Sequence, residues 1–267
     1  VESSGPLISL IVPVLDEAPL IDDFLRRVRA FRGPLEIIVV DGGSCDDTAA
    51  LADRRADGVI SAPKGRASQM NAGAAIARGE VLWFLHVDLI PAAESIEKIA
   101  QALADPTAVG GCFSLRYPRA ELIYRVSDKL GNIGVRLFGF ALGDHGIFCR
   151  RSAFFRIGGY PNVPILEDAE LYRALGKVGK MKQLRETIVS DPRTFEKWGR
   201  FRTTAVYFLI LVLYVAGMPI SRLNRIYRRF HRLPLSGSHA RRAPRAPHSQ
   251  VQLGNEDQLR TRIRMTG

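Results

Sequence analysis

Apolar and polar positions change period in a regular order over the first two thirds of the chain. Ile8–Val14 is a run rich in β-branched residues, short enough for a strand buried on both faces. Leu20–Ala30 follows with apolar side chains at 20, 21, 24, 25 and 28, the spacing of one helical face. The alternation continues with strands at Glu36–Val40, Gly58–Ser61 and Val81–His86, and helices at Asp46–Arg55, Ala67–Ala77 and Ala92–Ala104. Ser44 and Asp47 read as a capping-box-like pair at the start of the second helix. Strand–helix repetition with short loops predicts a mostly parallel α/β sheet with helices on both faces.

Beyond Ala108 the pattern loosens. Val109–Leu115 and Ala141–Cys149 read as strands, and Leu122–Leu137 and Glu167–Val178 as helices. This predicts a nucleotide-binding half over 7–105 and an acceptor half over 106–202, together one domain of residues 1–202. Thr203–Met218 carries no charge and stops at Pro219. Sixteen helical residues reach about 24 Å, short of a hydrocarbon core of about 30 Å. After the proline, Arg222, Arg225, Arg229 and Arg232 lie opposite Leu223, Ile226, Tyr227, Phe230 and Leu233. Such a basic amphipathic helix suits a lipid headgroup layer. Residues 203–233 are therefore expected to be membrane-associating, and 234–267 a disordered basic tail.

Charge sharpens that division. The 267 residues hold 38 Lys and Arg against 27 Asp and Glu, a net of +11. Eleven Arg and two acids fall between Ser221 and Gly267, so the first 220 residues hold 27 basic and 25 acidic side chains. The basic balance belongs to the tail, which predicts contact with an anionic membrane and no nucleic-acid partner. Cys45, Cys112 and Cys149 form no CxxC pair, as expected of a reducing compartment. Cys45 and Cys149 read as small packing residues, and Trp83 as core. No basic stretch precedes the first apolar run, so no signal peptide is expected. The predicted location is cytoplasmic, peripheral on the inner face of the cytoplasmic membrane.

Candidate chemistry gathers at the carboxyl ends of the expected strands, where open α/β sheets bind ligands. Asp16 and Glu17 follow the first strand, Asp41 closes the second, Asp88 lies just past the fourth, and Glu167 and Asp168 precede a helix. Converging carboxylates need a compensating cation, and hard oxygen ligands suit Mg²⁺ or Mn²⁺ held together with phosphates. Lys64 and Arg66 flank a glycine at a helix start, a setting for phosphate. Asp144-His145 is a further candidate for a metal or acceptor site, and Trp198 for an acceptor contact.

These residues fall into a familiar series. Ile11-Val-Pro-Val-Leu-Asp-Glu17, Ile37–Thr48, Asn71–Glu80, Leu82–Asp88, Gly146–Arg151, Ile157–Tyr160 and Glu167-Asp168 resemble family-2 glycosyltransferases of the GT-A fold, over roughly residues 8–200. Gly143–Phe148 and Arg200–Thr204 are similar to a bacterial branch labelled arsenosugar-pathway or radical-SAM/selenium-associated transferases. The resemblance implies a GT-A-type nucleotide-diphospho-sugar transferase fold. It places Pro13, Glu17 and Asp41 around the nucleoside, Lys64 and Arg66 near the diphosphate, and Asn71 near the sugar-nucleotide. His86-Val-Asp88 takes the place of the D-x-D motif, with Asp88 as metal ligand and His86 replacing the first acid. Asp168 matches the general base, with Glu167 beside it. The Gln-x-x-Arg-Trp motif of processive synthases is absent from the sequence.

The expected activity is metal-assisted, inverting, non-processive transfer from a nucleotide-diphosphate sugar to a hydroxyl or phosphate acceptor. A polyprenyl-phosphate acceptor is the alternative. A sugar nucleotidyltransferase would carry a Gly-rich basic loop after the first strand, where this chain has Leu15-Asp-Glu-Ala-Pro19. A lipid or nucleic-acid binder without catalysis fits the tail but not the near-neutral body.

Overall fold

In the computed structural model, residues 5–118, 121–190 and 200–232 are described. Among the described residues eight strands form one sheet. They are β1 (Ile8–Val14), β2 (Leu35–Asp41), β3 (Gly58–Ser61), β4 (Val81–Phe84), β5 (Leu89–Ile90), β6 (Ala108–Arg116), β7 (Phe148–Arg150) and β8 (Lys180–Ser190). Their spatial order is β3-β2-β1-β4-β7-β6-β8-β5. β3, β2, β1 and β4 are mutually parallel and β6 is parallel to β8, whereas β7 runs against both its neighbours and β5 runs against β8.

The sheet is sandwiched as the alternation of β1 dictates. Ile8, Leu10, Val12 and Val14 share one buried cluster with Ile21, Phe24, Leu25 and Val28 of α1 (Ala18–Arg29) and Ile96, Ile99 and Leu103 of α4 (Ser95–Leu103). Ile11 points to the other face. There it joins Met70 and Ala74 of α3 (Arg66–Ile76), Ala153 and Phe154 of α6 (Arg151–Arg156), and Leu171 and Leu175 of α7 (Glu167–Gly176). Trp83 is fully buried among Phe31 and Phe113, as its apolar run predicts. Cys112 and Cys149 are buried but Cys45 is exposed, so Cys45 is no packing residue.

α3 packs unusually close to the strands. A Cβ on Gly73 would stand 2.6 Å from Ile11 Cγ2. One turn earlier, buried Gln69 donates its side-chain amide to the carbonyls of Val14 (2.9 Å) and Val40 (2.8 Å), stapling the ends of β1 and β2. Gln69→Leu should therefore leave the Val40 carbonyl without that donor while Val14 keeps the Gly42 N–H. The expected loss is about 1–3 kcal/mol of unfolding free energy in urea melts, and an unchanged midpoint would refute the staple.

Two further expectations are corrected here. The Ser44–Asp47 capping pair does not form. Helix α2 (Thr48–Asp53) starts without a side-chain cap, and Ser44 bonds Asp41 and Asp16 instead. The strand expected over Ala141–Cys149 shrinks to β7, because Gly146 adopts φ 57° and Gly143–His145 coil into a 3-10 turn. β8 was not foreseen, since its polar residues show no clean alternation toward a core.

α5 (Leu122–Phe138), α8 (Arg200–Val215) and α9 (Ile220–Arg232) complete the described chain. α8 and α9 fall in the same compact unit as the sheet. Trp198 and residues 233–267, including Leu233 and the expected disordered tail, lie outside the described residues.

Candidate functional site

Strand direction decides what meets at the sheet edge. Because β7 is antiparallel to β4, the residues just before β7 lie beside the carboxyl end of β4, and the Phe84 N–H bonds the Ile147 carbonyl at 2.9 Å. The 3-10 turn is thereby delivered against His86. A Cβ on Gly143 would fall 2.5 Å from His86 Nε2 and 2.7 Å from Asp168 Oδ2, so only a residue without a side chain lets the two approach this turn. β6 and β8 end on the same edge and bring Tyr117 and Ser190, while β5 pairs Leu89 with Ser190 and holds Asp88 next to them.

Asp168 is buried at the start of α7, where Tyr160 donates its hydroxyl to Oδ1 at 3.0 Å. Burial raises its pKa and the neighbouring Glu167 raises it further, against the opposing pull of Arg66 and the Tyr160 hydrogen bond. The preceding Leu166 sits at φ 63°, a left-handed conformation that costs a side-chain-bearing residue roughly 1–3 kcal/mol. Asn71 supports the arrangement from α3. Its amide donates to the Tyr160 carbonyl and accepts the Tyr160 N–H, both at 2.9 Å. Asn71 thus clasps the tyrosine that holds Asp168, and both ends of its amide are committed to that clasp.

Arg66 opens α3 and keeps an exposed surface, yet its charge is stabilised by Asp168, Glu167, Asp144 and Asp88 against the cost of desolvation. Asp144 is pushed up to about 6 by burial and by Asp88, while Arg66 and hydrogen bonds from Ser190 and Tyr117 oppose the rise. Burial raises the Tyr117 hydroxyl pKa well above its ordinary value, and the Asp144 charge adds to it. Burial, helped by Arg66, pushes His86 down to about 3, so its ring is neutral, and its buried Nε2 has no hydrogen-bond partner among the described residues.

His145 is buried, with its ring against α5, where a Cβ on Gly131 would meet it at 3.6 Å, and its Nδ1 accepts the Leu142 N–H at 3.4 Å. Burial lowers it to about 4.

The β1 and β2 loops form the other flank. Asp16, at φ 54°, accepts the Cys45 N–H and gives its own N–H to Ser44 Oγ, while the Glu17 N–H goes to Thr48 Oγ1 at 2.8 Å. Pro13 is buried on β1 opposite Val40. The Asp41 carboxylate closes its own turn by accepting the N–H groups of Gly43 and Ser44. Lys64 is exposed. Tyr117, Tyr160 and Ser190 carried no role in the sequence reading, nor did Tyr207 of α8, whose hydroxyl lies in the field of Asp144 and Arg66. Tyr117 and Tyr160 stand in irregular segments and Tyr207 in a helix that is uncharged from Thr203 on, so no periodic signal marks them; only the Ile157–Tyr160 motif marked one of them.

Among the described residues no three His, Cys, Asp or Glu side chains gather closely enough to cage an ion. A divalent cation at Asp88 would take few protein ligands, leaving room for water and donor phosphates, as Mg²⁺ and Mn²⁺ sites commonly do. The donor set fits that use. Asp88 and Asp144 repel each other, and the neutral His86 nitrogen is a further possible donor to the same cleft.

The chain is similar to known proteins in sequence and in fold. The family model described as "Glycosyl transferase family 2" matches residues 9–156. An uncharacterized glycosyltransferase of Mycobacterium tuberculosis is 31% identical over 171 residues, 59% of this chain and 64% of the relative. An undecaprenyl-phosphate 4-deoxy-4-formamido-L-arabinose transferase of Pseudomonas fluorescens is 31% identical over 158 residues, 54% of this chain and 46% of the relative. The matches span less than two thirds of these relatives. Among solved structures, the mannosyltransferase PcManGT from Pyrobaculum calidifontis, in complex with GDP-Man and Mn²⁺, superposes with a TM-score of 0.63 at 20% identity. That alignment covers 86% of this chain and 71% of the other, a likeness of fold. The family match and the order of strands together give the conclusion: the chain belongs to glycosyl transferase family 2 and has a fold of the GT-A type.

Proposed function

We propose that the chain performs metal-assisted, inverting, non-processive transfer of one sugar from a nucleotide-diphosphate donor to a hydroxyl or phosphate acceptor. The carrying observation is the grouping of Asp168, Glu167, Asp144 and Asp88 around Arg66, with His86 and Asp168 both against Gly143. Pro13, Glu17 and Asp41 are assigned to the nucleoside side and Lys64 and Arg66 to the diphosphate. Glu167 and His86 border the reacting sugar. Asp144 is assigned to the acceptor side with Tyr117, and Asp88 to the metal. Asn71 and His145 are reassigned as positioning residues, on the contacts given above.

Asp168 takes the proton of the acceptor hydroxyl as its oxygen attacks the anomeric carbon. The bond from that carbon to the donor phosphate oxygen breaks, and the nucleoside diphosphate leaves with the electron pair. Arg66 stabilises the charge that develops on the leaving phosphate. A divalent cation, when bound, supplies further stabilisation of the same charge. Attack from the face opposite the leaving group inverts the anomeric centre.

A panel of nucleotide sugars, read by nucleoside-diphosphate release with Mn²⁺ or Mg²⁺ and by NMR of the product, tests this reading. Metal-dependent release with an inverted product is expected, and retention would sink the mechanism. Within the family, Gly143–Phe148 and Arg200–Thr204 support the arsenosugar-pathway or radical-SAM-associated branch. The relatives named as undecaprenyl-phosphate transferases support a second reading, a polyprenyl-phosphate acceptor met at the cytoplasmic membrane face.

A further inference from the structure

The residues expected to meet a membrane from the sequence lay in 203–233, but the structure shows a second apolar face in the middle of the catalytic domain. On α5, Leu122, Val126, Leu130, Ile133 and Leu137 recur at steps of three and four, and each is exposed, Leu122 and Leu137 by 77% and 71%. An α/β domain has no use for such a stripe in water, since single exposed apolar residues are ordinary but an ordered row is not. α8 packs beside α5, with Ser127 Oγ 3.4 Å from Thr204 Oγ1. It carries its own exposed row in Phe208, Val212 and Val215.

The charges around these rows are mainly cationic, with Glu121 at the start of α5 the exposed acid beside them. α8 and α9 contain no acid, and Arg222, Arg225, Arg228 and Arg229 of α9 are exposed. On α5 the exposed charges are Arg125, Lys129 and Arg136. The helix's single acid, Asp128, is half-buried and accepts the Tyr117 N–H at 2.9 Å. No helix among the described residues is long and apolar enough to cross a membrane. Apolar rows flanked by cations, too short to span, are the pattern of a surface that lies in a bilayer interface.

We infer that the exposed faces of α5 and α8 together dock the enzyme on an anionic lipid bilayer, with the α9 arginines on the headgroups. The docked helices border the site. α8 presents Phe208 outward one residue after Tyr207, which hydrogen-bonds Tyr227 of α9 and lies in the field of Asp144 and Arg66. An acceptor drawn from the bilayer would then enter beside Tyr207. The docking itself holds whichever acceptor is used, so its failure leaves the transfer reaction standing.

Flotation of the full chain with phosphatidylcholine vesicles, with and without phosphatidylglycerol, tests the inference. Partition onto the anionic vesicles is expected, and L130E/I133E should weaken it by at least about tenfold with the folding transition and nucleotide binding unchanged. Undiminished partition of that variant would overturn the role of α5. A milder pair of variants guards against misfolding. In a Cys45→Ser background, an environment-sensitive dye on Ile133→Cys or on Val212→Cys should shift to the blue on anionic vesicles and be quenched by brominated lipid. Absence of the shift at either position would overturn the paired surface. So would a concentration-dependent dimer that L130E/I133E abolishes, in a chain that ignores vesicles.

Discussion

Asp168→Asn should lower the rate of transfer to a hydroxyl acceptor by about 10²–10⁴ while leaving nucleotide binding by calorimetry within a few-fold of the native chain. The amide keeps the shape and can still accept from Tyr160, but it cannot take a proton. The same variant separates acceptor classes. A phosphomonoester has a second pKa of about 6 and arrives ionised at neutral pH, so its attack needs no base. Near-native transfer to polyprenyl phosphate, combined with loss toward hydroxyls, would identify the lipid reading; near-native rates toward hydroxyls would remove Asp168 as base.

The pH profile carries a sign. Burial and Glu167 raise the Asp168 pKa, so the ionised base becomes populated only as pH climbs, and the acid limb of kcat/KM should lie above the ordinary carboxylate range. Tyr160→Phe deletes a hydrogen bond that favours the charged form. Its limb should move to higher pH, with the plateau rate less affected than the limb. A limb that stays in place would separate Tyr160 from the titration of the base.

Asp88→Asn is expected to cost about 10²–10³ in metal-stimulated turnover and to abolish the difference between Mn²⁺-loaded and chelated enzyme. The repulsion that lifts Asp144 would also weaken, bringing its pKa down from about 6. Isothermal titration of Mn²⁺ in the presence of a nucleoside diphosphate gives the binding half of the test. Retained metal stimulation would reassign the ligand, with Asp144 the next residue to examine.

Much of this was readable in the sequence wherever one side-chain pattern served one element. β1 and β2 are nearly continuous apolar runs because both faces are covered, and their acids fall at the edge where the following loops begin. The second half resisted for a physical reason. β7 is three residues long and owes its place to pairing with β4, and β8 alternates weakly because seven of its eleven residues are only partly buried. The apolar content of Ala141–Cys149 suggested a strand, while Gly143 and Gly146 decided otherwise. Arg66 could be found from its place beside a glycine at a helix start. The roles of Gln69 and Tyr160 could not, since Gln69 bonds two strand ends distant in sequence and Tyr160 reaches Asp168 across a loop, and no periodic spacing announces either.

The reversed strand β7 has a wider consequence. It joins β1–β4 to β6 and β8 through hydrogen bonds within one continuous sheet, so among the described residues the strand ends that carry Asp41 and His86 are fixed relative to those that carry Tyr117 and Ser190. The stretch between β6 and β7 leaves and re-enters the sheet at neighbouring strands, so most of it can be exchanged without moving the strand ends, provided that Gly143, which lies against His86 and Asp168, is kept.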